Sequence, residues 1–372
     1  MSAAPPDPDV RAAEVDAKLR LLRAALAQAG AGAIRLRGLD WFAWATAGAD
    51  ASLLLACDTG AAELLVTHDE ACVLTDAAEA ERLRREQLPD GFTYHIAPWA
   101  ETELHDTYVL GAAGGNGVLS DRPRNGDGTL PAALRLRRMV LAESEQERYR
   151  ALGRDAAAAI GEALRAARPG WTEHDLAAAG AQALLRRGIQ PALVLAAGER
   201  RLSLFRHPQP TGDALGGRAM LALSARRHGL HANLARGISF GTLPDDVRAA
   251  QHDLLQAEAT GLDAVRPGQS LAAVYHALDA AYRHANRPDA IREDRQGGIV
   301  GYGARELLAT PSTATGLETG MAIALNPSFA GIAVEDTFLL GPEGLENLTH
   351  DPGWPAVAVA GRLRPLWLEA RP

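Results

Sequence analysis

The chain has 372 residues, 47% of them hydrophobic and 23% charged, with a formal net charge of −8. That length exceeds what one ordinary core needs and predicts two domains, and the composition is that of a globular protein rather than a fibrous or low-complexity one. The acidic balance, the scattered arginines and a content of only 6 Phe, 6 Tyr and 6 Trp argue against a nucleic-acid partner.

Pro5, Pro6 and Pro8 predict a frayed N-terminal arm, and "MSAAPPDPDVRAAEVD" has neither the basic start nor the apolar centre of a signal peptide. Across 11–29, Val15, Leu19, Leu22 and Leu26 recur at helical spacing, and Gly30 and Gly32 stop the helix. The runs "AIRLR", "WFAWAT", "ASLLLAC", "AELLVT" and "ACVLT" are short, lie between Gly/Asp turns and read as strands. Cys57 and Cys72 fall in these runs and read as reduced core residues of a cytoplasmic protein. "DAAEAERLRREQL" returns to helix. The glycine-rich stretch 111–131 precedes a boundary placed near 140, which gives domains 1–140 and 141–372.

The second domain opens with a helix over 143–167, ended by Pro169-Gly170. In "TEHD", Thr172 stands three residues before Asp175, a capping box for a helix over 173–187. Residues 190–240 read as extended, and two helices fill 244–286 with a break at "RPGQS". Strands return in "GGIVGY", "MAIALNP" and "GIAVEDTFLL". Arg, Asp or Glu interrupts every apolar stretch, so no membrane span is predicted. Within "ALNPSFAGIAVEDT", one apolar run closes on Asn326 and the next on Glu335 and Asp336.

Four landmarks occur in order: "RHPQPTGD" at 206–213, "GRAMLALSARRHGLHANLARGISFG" at 217–241, "QGGIVGYGARE" at 296–306 and "LETGMAIALNPSF…AVEDTFLL" at 317–340. On these the chain resembles the pita-bread family of creatinase, proline dipeptidase, aminopeptidase P and methionine aminopeptidase. The resemblance implies an α+β protein, with a creatinase-type α/β N-terminal domain followed by a pita-bread C-terminal domain. It also implies a homodimer acting on a small molecule or short peptide. Trp41, Phe42 and Trp44 are candidates to cap the dimer interface or to be core.

In the peptidases of this family two Asp, one His and two Glu hold a pair of divalent ions that activate a water. Carried over position by position, the resemblance places Ser224 and Asn233 at the Asp positions, Gly298 at the His and Asn326 at the first Glu, and only Glu335 is retained. Two dications about 3.5–4 Å apart need bridging carboxylates, so no metal ligands and no cofactor are expected. Creatinase is the metal-free member. His207 matches its catalytic His and Glu335 its active-site Glu, while Ala235 stands where creatinase has a second Glu.

His207 and Glu335 are therefore the catalytic candidates. The bland alternatives are a loop histidine beside a proline turn and an acid neutralised by Arg236 or Arg305. Residues two apart on a strand share a face, so His231 joins Asn233, while His228 falls in the hairpin turn. Ser224, His231, Asn233, Asn326, Tyr302 and Arg305 are the substrate-binding candidates, and Gly297 and Gly298 read as close-approach positions in the cleft floor. Three functions follow: a metal-independent hydrolase of a C–N bond in a small amide or amidine, a non-catalytic binder of a ligand or peptide, and an Xaa-Pro dipeptidase or aminopeptidase.

Overall fold

The computed structural model describes residues 7–124 and 126–370. Contacts divide it into two compact units: the residues up to Glu145 with His228–Leu230, and Gln146–Arg227 with the chain from His231 onward.

In the first unit the opening helix runs Pro8–Ala29, three residues earlier than its apolar spacing predicts. Asp7 caps it by accepting from the Asp9 N–H at 2.9 Å, and Pro8 takes the first turn, where no donor is lost. Pro5 and Pro6 lie outside the described residues. A six-stranded mixed sheet is ordered Thr93–Ala97, Ala71–Asp76, Thr59–Val66, Ala33–Gly38, Val118–Ser120, Gly128–Thr129.

Three local expectations fail in this unit. "WFAWA" is helical, within Leu39–Ala45, and not a strand. Trp41 and Trp44 lie one helical turn apart, meet edge-to-face with centroids 5.4 Å apart, and are buried with Phe42 as core. "ASLLLAC" forms bends and turns that leave Leu53, Leu54, Leu55 and Cys57 exposed. Only Cys72 is the core thiol. The helix expected over 76–88 shrinks to Ala80–Arg82 followed by a wider π turn at Leu83–Gln87. The strand Thr93–Ala97 and the helix Glu103–Ala112 carry too little apolar periodicity to be predicted.

Beside the two-stranded pairings of Ser328–Phe329 with Ile332–Ala333 and of Ala356–Val359 with Arg362–Pro365, the second unit contains two main sheets. One is ordered Leu368–Ala370, Leu230–Phe240, Arg218–Arg227, Gln190–Gly198, and the other Leu307–Leu308, Gly297–Val300, Ala322–Leu325, Asp336–Gly341, Gly344–Asn347. Its main helices are Glu143–Ala166, Glu173–Leu185, Asp245–Asp263 and Leu271–His284. The capping box forms as expected: Asp175 N–H donates to Thr172 Oγ1 at 3.1 Å, and Thr172 N–H donates to Asp175 at 2.8 Å. Among the described residues no helix is long and apolar enough to cross a membrane.

The two sheets join where the Ala235 N–H donates to the Glu335 carbonyl at 3.0 Å. Thr337 completes the seam, its hydroxyl accepting from Asn233 N–H at 2.8 Å and donating to Asn233 O at 3.0 Å. One residue beyond Ala235 and Glu335 on each strand, Arg236 meets Asp336 at 2.7 Å. Asp336 also accepts from the Thr349 hydroxyl at 2.6 Å and pairs with Arg364 at 2.9 Å, and Arg364 donates to Glu258 at 2.6 Å. All four charged groups are buried. Burial pushes the Asp336 carboxyl up, but the Arg236 and Arg364 guanidiniums outweigh it and hold the group below the usual aspartate range. Glu258 ends on the other side of its ordinary value, because burial there exceeds the help from Arg364.

Removing Asp336 alone leaves the buried Arg236 guanidinium without a carboxylate and Arg364 with Glu258 as its remaining one. Asp336→Asn is expected to cost about 3–5 kcal/mol, read as a lower urea midpoint. Because the folded state lowers this pKa, the stabilisation is present above the ordinary aspartate range and is lost as pH falls through the folded value. The acid-side fall in the midpoint should accordingly be shallower in the variant.

Candidate functional site

The strands Arg218–Arg227 and Leu230–Phe240 are joined by His228 and Gly229, both with positive φ (54° and 77°). A two-residue turn of that kind matches the right-handed twist of a hairpin. It sets Ser224 across from Asn233 and leaves His228 half-buried in the turn. Ser224 is 2% exposed, and its hydroxyl has no hydrogen-bond partner among the described residues. Asn233 is also buried, and its Nδ2 donates to the Ala304 carbonyl at 3.3 Å.

Ala304 leads directly to Arg305, where the charges converge. Arg305 Nη2 donates to Glu335 Oε1 at 2.6 Å and to Asn326 Oδ1 at 3.2 Å. Of the two arginines open to Glu335, Arg305 is its partner, and Arg236 is committed to Asp336. Asn326 is held in turn: its Nδ2 donates to Arg295 O at 2.8 Å and its N–H to Gln296 O at 3.2 Å. One residue before Arg295, Asp294 lies 3.6 Å from His207 Nε2, an ion-pair separation rather than a hydrogen bond.

The structure thus brings Asn233, Arg305, Asn326 and Glu335 into one polar chain that leaves the Ser224 hydroxyl outside it, and segment 294–296 connects it to His207. The His207 side chain is 58% exposed. His231 is half-buried; its N–H donates to Gly301 O at 2.8 Å and its carbonyl accepts from the Tyr149 hydroxyl. Tyr302 is 1% exposed. A Cβ on Gly298 would run into the Leu307 carbonyl, and one on Gly297 into the Ala324 carbonyl, so both are close-approach glycines within the sheet.

Sequence reasoning missed Asp294, Thr337 and Glu173. Glu173 sits in the "TEHD" box and is completely buried. It accepts from Gly198 N–H at 2.9 Å, Thr211 N–H at 2.9 Å and the Thr211 hydroxyl at 2.8 Å, and it pairs with Arg201. Both ends of the segment carrying His207 are therefore tied to one carboxylate.

Among the described residues no three His, Cys, Asp or Glu side chains are grouped so as to hold a metal ion. Beside the Glu335 carboxylate stand the Arg305 guanidinium and, bonded to the same guanidinium, the Asn326 amide. A pair of divalent ions asks for several anionic oxygens, and this donor set does not fit one. The carboxylate instead finds its positive charge in Arg305.

Residues 147–342 match the family described as metallopeptidase family M24. Over 145 residues the chain is 30% identical to an uncharacterized hydrolase/peptidase of Sinorhizobium fredii, a match spanning 36% of this chain and 36% of that protein. Among solved structures, an Xaa-Pro dipeptidase from Bacillus anthracis superposes with a TM-score of 0.76 at 17% identity, covering 95% of this chain and 99% of that one. Dipeptidase PepE from Mycobacterium ulcerans gives 0.75 at 19% identity, covering 96% and 98%. The N-terminal domain of FACT complex subunit SPT16 from chickpea gives 0.69 at 13% identity, covering 92% and 97%. The fold is the expected one, with a pita-bread C-terminal unit.

Glu173→Gln would turn an acceptor toward Thr211 and Arg201 into a donor. The expected cost is about 2–4 kcal/mol in urea unfolding, together with faster proteolytic cleavage between residues 200 and 212 under native conditions.

Proposed function

The chain belongs to metallopeptidase family M24, and on that premise we propose that it hydrolyses a C–N bond of a small amide, amidine or cyclic amidine without a dinuclear metal centre. The observation that carries this reading is the Arg305 guanidinium, which bonds both Glu335 and Asn326. A fixed cation stands between the two positions that the resemblance assigns to the carboxylate pair of the metallopeptidases.

The chemistry then falls to side chains of this chain. An imidazole is suited to taking and returning a proton near neutral pH. His207 Nε2 lies 3.6 Å from the Asp294 carboxylate, and the exposed ring is open to water. The base removes a proton as the water oxygen bonds to the carbonyl or amidine carbon, and it returns that proton to the nitrogen as the C–N bond breaks. Ser224, whose hydroxyl lacks a partner, and Asn233 hold the polarised oxygen or nitrogen. Glu335 and Asn326, oriented by Arg305, place the rest of the substrate.

Binding without turnover is the second reading. It is favoured by the exposure of His207 and by its 3.6 Å separation from Asp294, looser than a hydrogen bond. The same fold also carries a domain named for a complex subunit rather than a peptidase, and a fold by itself does not fix an activity. The dipeptidase reading follows the names of the structural neighbours and requires about two metal ions per chain.

The test is turnover of creatine, ectoine and an Xaa-Pro dipeptide by EDTA-treated protein. The expected result is hydrolysis of a small amide or amidine that EDTA leaves unchanged and His207→Ala lowers by about 10²–10⁴-fold. Undiminished activity in His207→Ala, or complete dependence on added Mn²⁺, overturns it. A ligand bound tightly and recovered chemically intact favours the second reading.

A further inference from the structure

Gln296 and Tyr282 are buried, 1% and 0% exposed, and neither reaches the candidate site with its own side chain. Gln296 stands immediately before the strand Gly297–Val300. Its Nε2 donates to the Asp294 carbonyl at 2.7 Å and to the Ala290 carbonyl at 3.3 Å, and its Oε1 accepts from the Tyr282 hydroxyl at 2.5 Å. Main-chain carbonyls only accept, so the amide has one orientation, with Oε1 toward the phenol. Burial pushes the Tyr282 phenol above its ordinary range, so the hydroxyl keeps the proton it donates. Tyr282 is held in turn by the helix Leu271–His284 and by Phe329, whose ring lies tilted against it with centroids 5.6 Å apart.

The short piece of main chain that Gln296 braces is the one on which Asn326 rests. Asn326 Nδ2 donates to Arg295 O at 2.8 Å and Asn326 N–H to Gln296 O at 3.2 Å. With Nδ2 committed to Arg295, the other end of the amide, Oδ1, is presented to Arg305 Nη2 at 3.2 Å. The orientation matters because a guanidinium is a donor only. An Asn326 amide turned end for end would set N–H groups against N–H groups, and Arg305 would lose one of the two acceptors that fix it beside Glu335. The Arg295 carbonyl excludes that turn, and it does so only while 294–296 stays where Gln296 holds it.

We propose that Gln296 is a positioning residue of the candidate site, oriented by Tyr282 and acting through the Arg295 and Gln296 carbonyls on Asn326 and thereby on Arg305. The proposal deepens the hydrolase reading, on which its effect on turnover rests. The positioning itself needs no turnover.

The experiment follows the Asn326 side-chain amide of the full chain by NMR in Tyr282→Phe, which keeps the ring against Phe329 and removes only the hydroxyl. The amide protons are expected to move toward the shifts of a free asparagine and to exchange with water about ten-fold faster. Leu278→Ala empties a fully buried apolar position one turn earlier on the same helix. It should lower the urea midpoint and leave the Asn326 signals in place, which separates positioning from loss of stability. With an amide or amidine that wild type hydrolyses, Tyr282→Phe should lower kcat/KM about ten-fold and Leu278→Ala should not. Asn326 signals unchanged in Tyr282→Phe, the same change in Leu278→Ala, or an undiminished kcat/KM would each overturn the proposal. A wild type that hydrolyses nothing refutes the hydrolase reading alone, and the Asn326 signals still decide the positioning.

Discussion

Asp336 carries its charge where it is completely shielded from solvent, and the second unit is arranged around that constraint. Four elements meet at it: the hairpin strand through Arg236, the strand of Asp336 itself, the strand Arg362–Pro365 through Arg364, and the helix Asp245–Asp263 through Glu258 at one remove. Such a network is weak evidence of net stability, since well-packed apolar residues often do as well. Its stronger effect is on register. Successive residues of a strand point to opposite sides, so anchoring Asp336 on one side turns Glu335 to the other. Arg236 and Ala235 are divided in the same way across the seam. The carboxylate of the candidate site is thus aimed by a neighbouring carboxylate that takes no part in it.

Much of the second unit could be read from the chain alone. The Thr172/Asp175 box, the hairpin around 228–229 and the apolar strand before Asn326 carry strong local signals and each forms, whereas the run expected to close on Glu335 and Asp336 splits into Ile332–Ala333 and a strand that opens at Asp336. The failures cluster in the first unit, where apolar runs fit two periodicities at once. In "WFAWA" two tryptophans one helical turn apart decide for helix, and in "ASLLLAC" three leucines stand outside any sheet. The chain alone offers Glu335 two partners, Arg236 and Arg305, and strand alternation decides between them. Arg236 lies on the opposite side from Asn233 and Ala235, and so faces Asp336. Asp294 could not be found this way. Its nearness to His207 depends on how two distant loops approach, and no periodicity records that.

Arg305 shows what the proposed reading means physically. A guanidinium on its own backbone has no dissociation constant, so the positive charge at Glu335 would not vary with the supply of an ion. It is also a single, dispersed charge, a weaker Lewis acid than a dication and unable to lower the pKa of a bound water as zinc does. A site built this way gives up the activated water of a metallohydrolase and must rely on proton transfer and positioning.

Gly298 fixes how closely two strands of the second unit can lie. The strand at Leu307–Leu308 has closed over it so tightly that even a methyl group would strike a main-chain oxygen. Any side chain at this position would require the neighbouring strand to move in the same step, so the separation of the two strands is itself set by the missing Cβ.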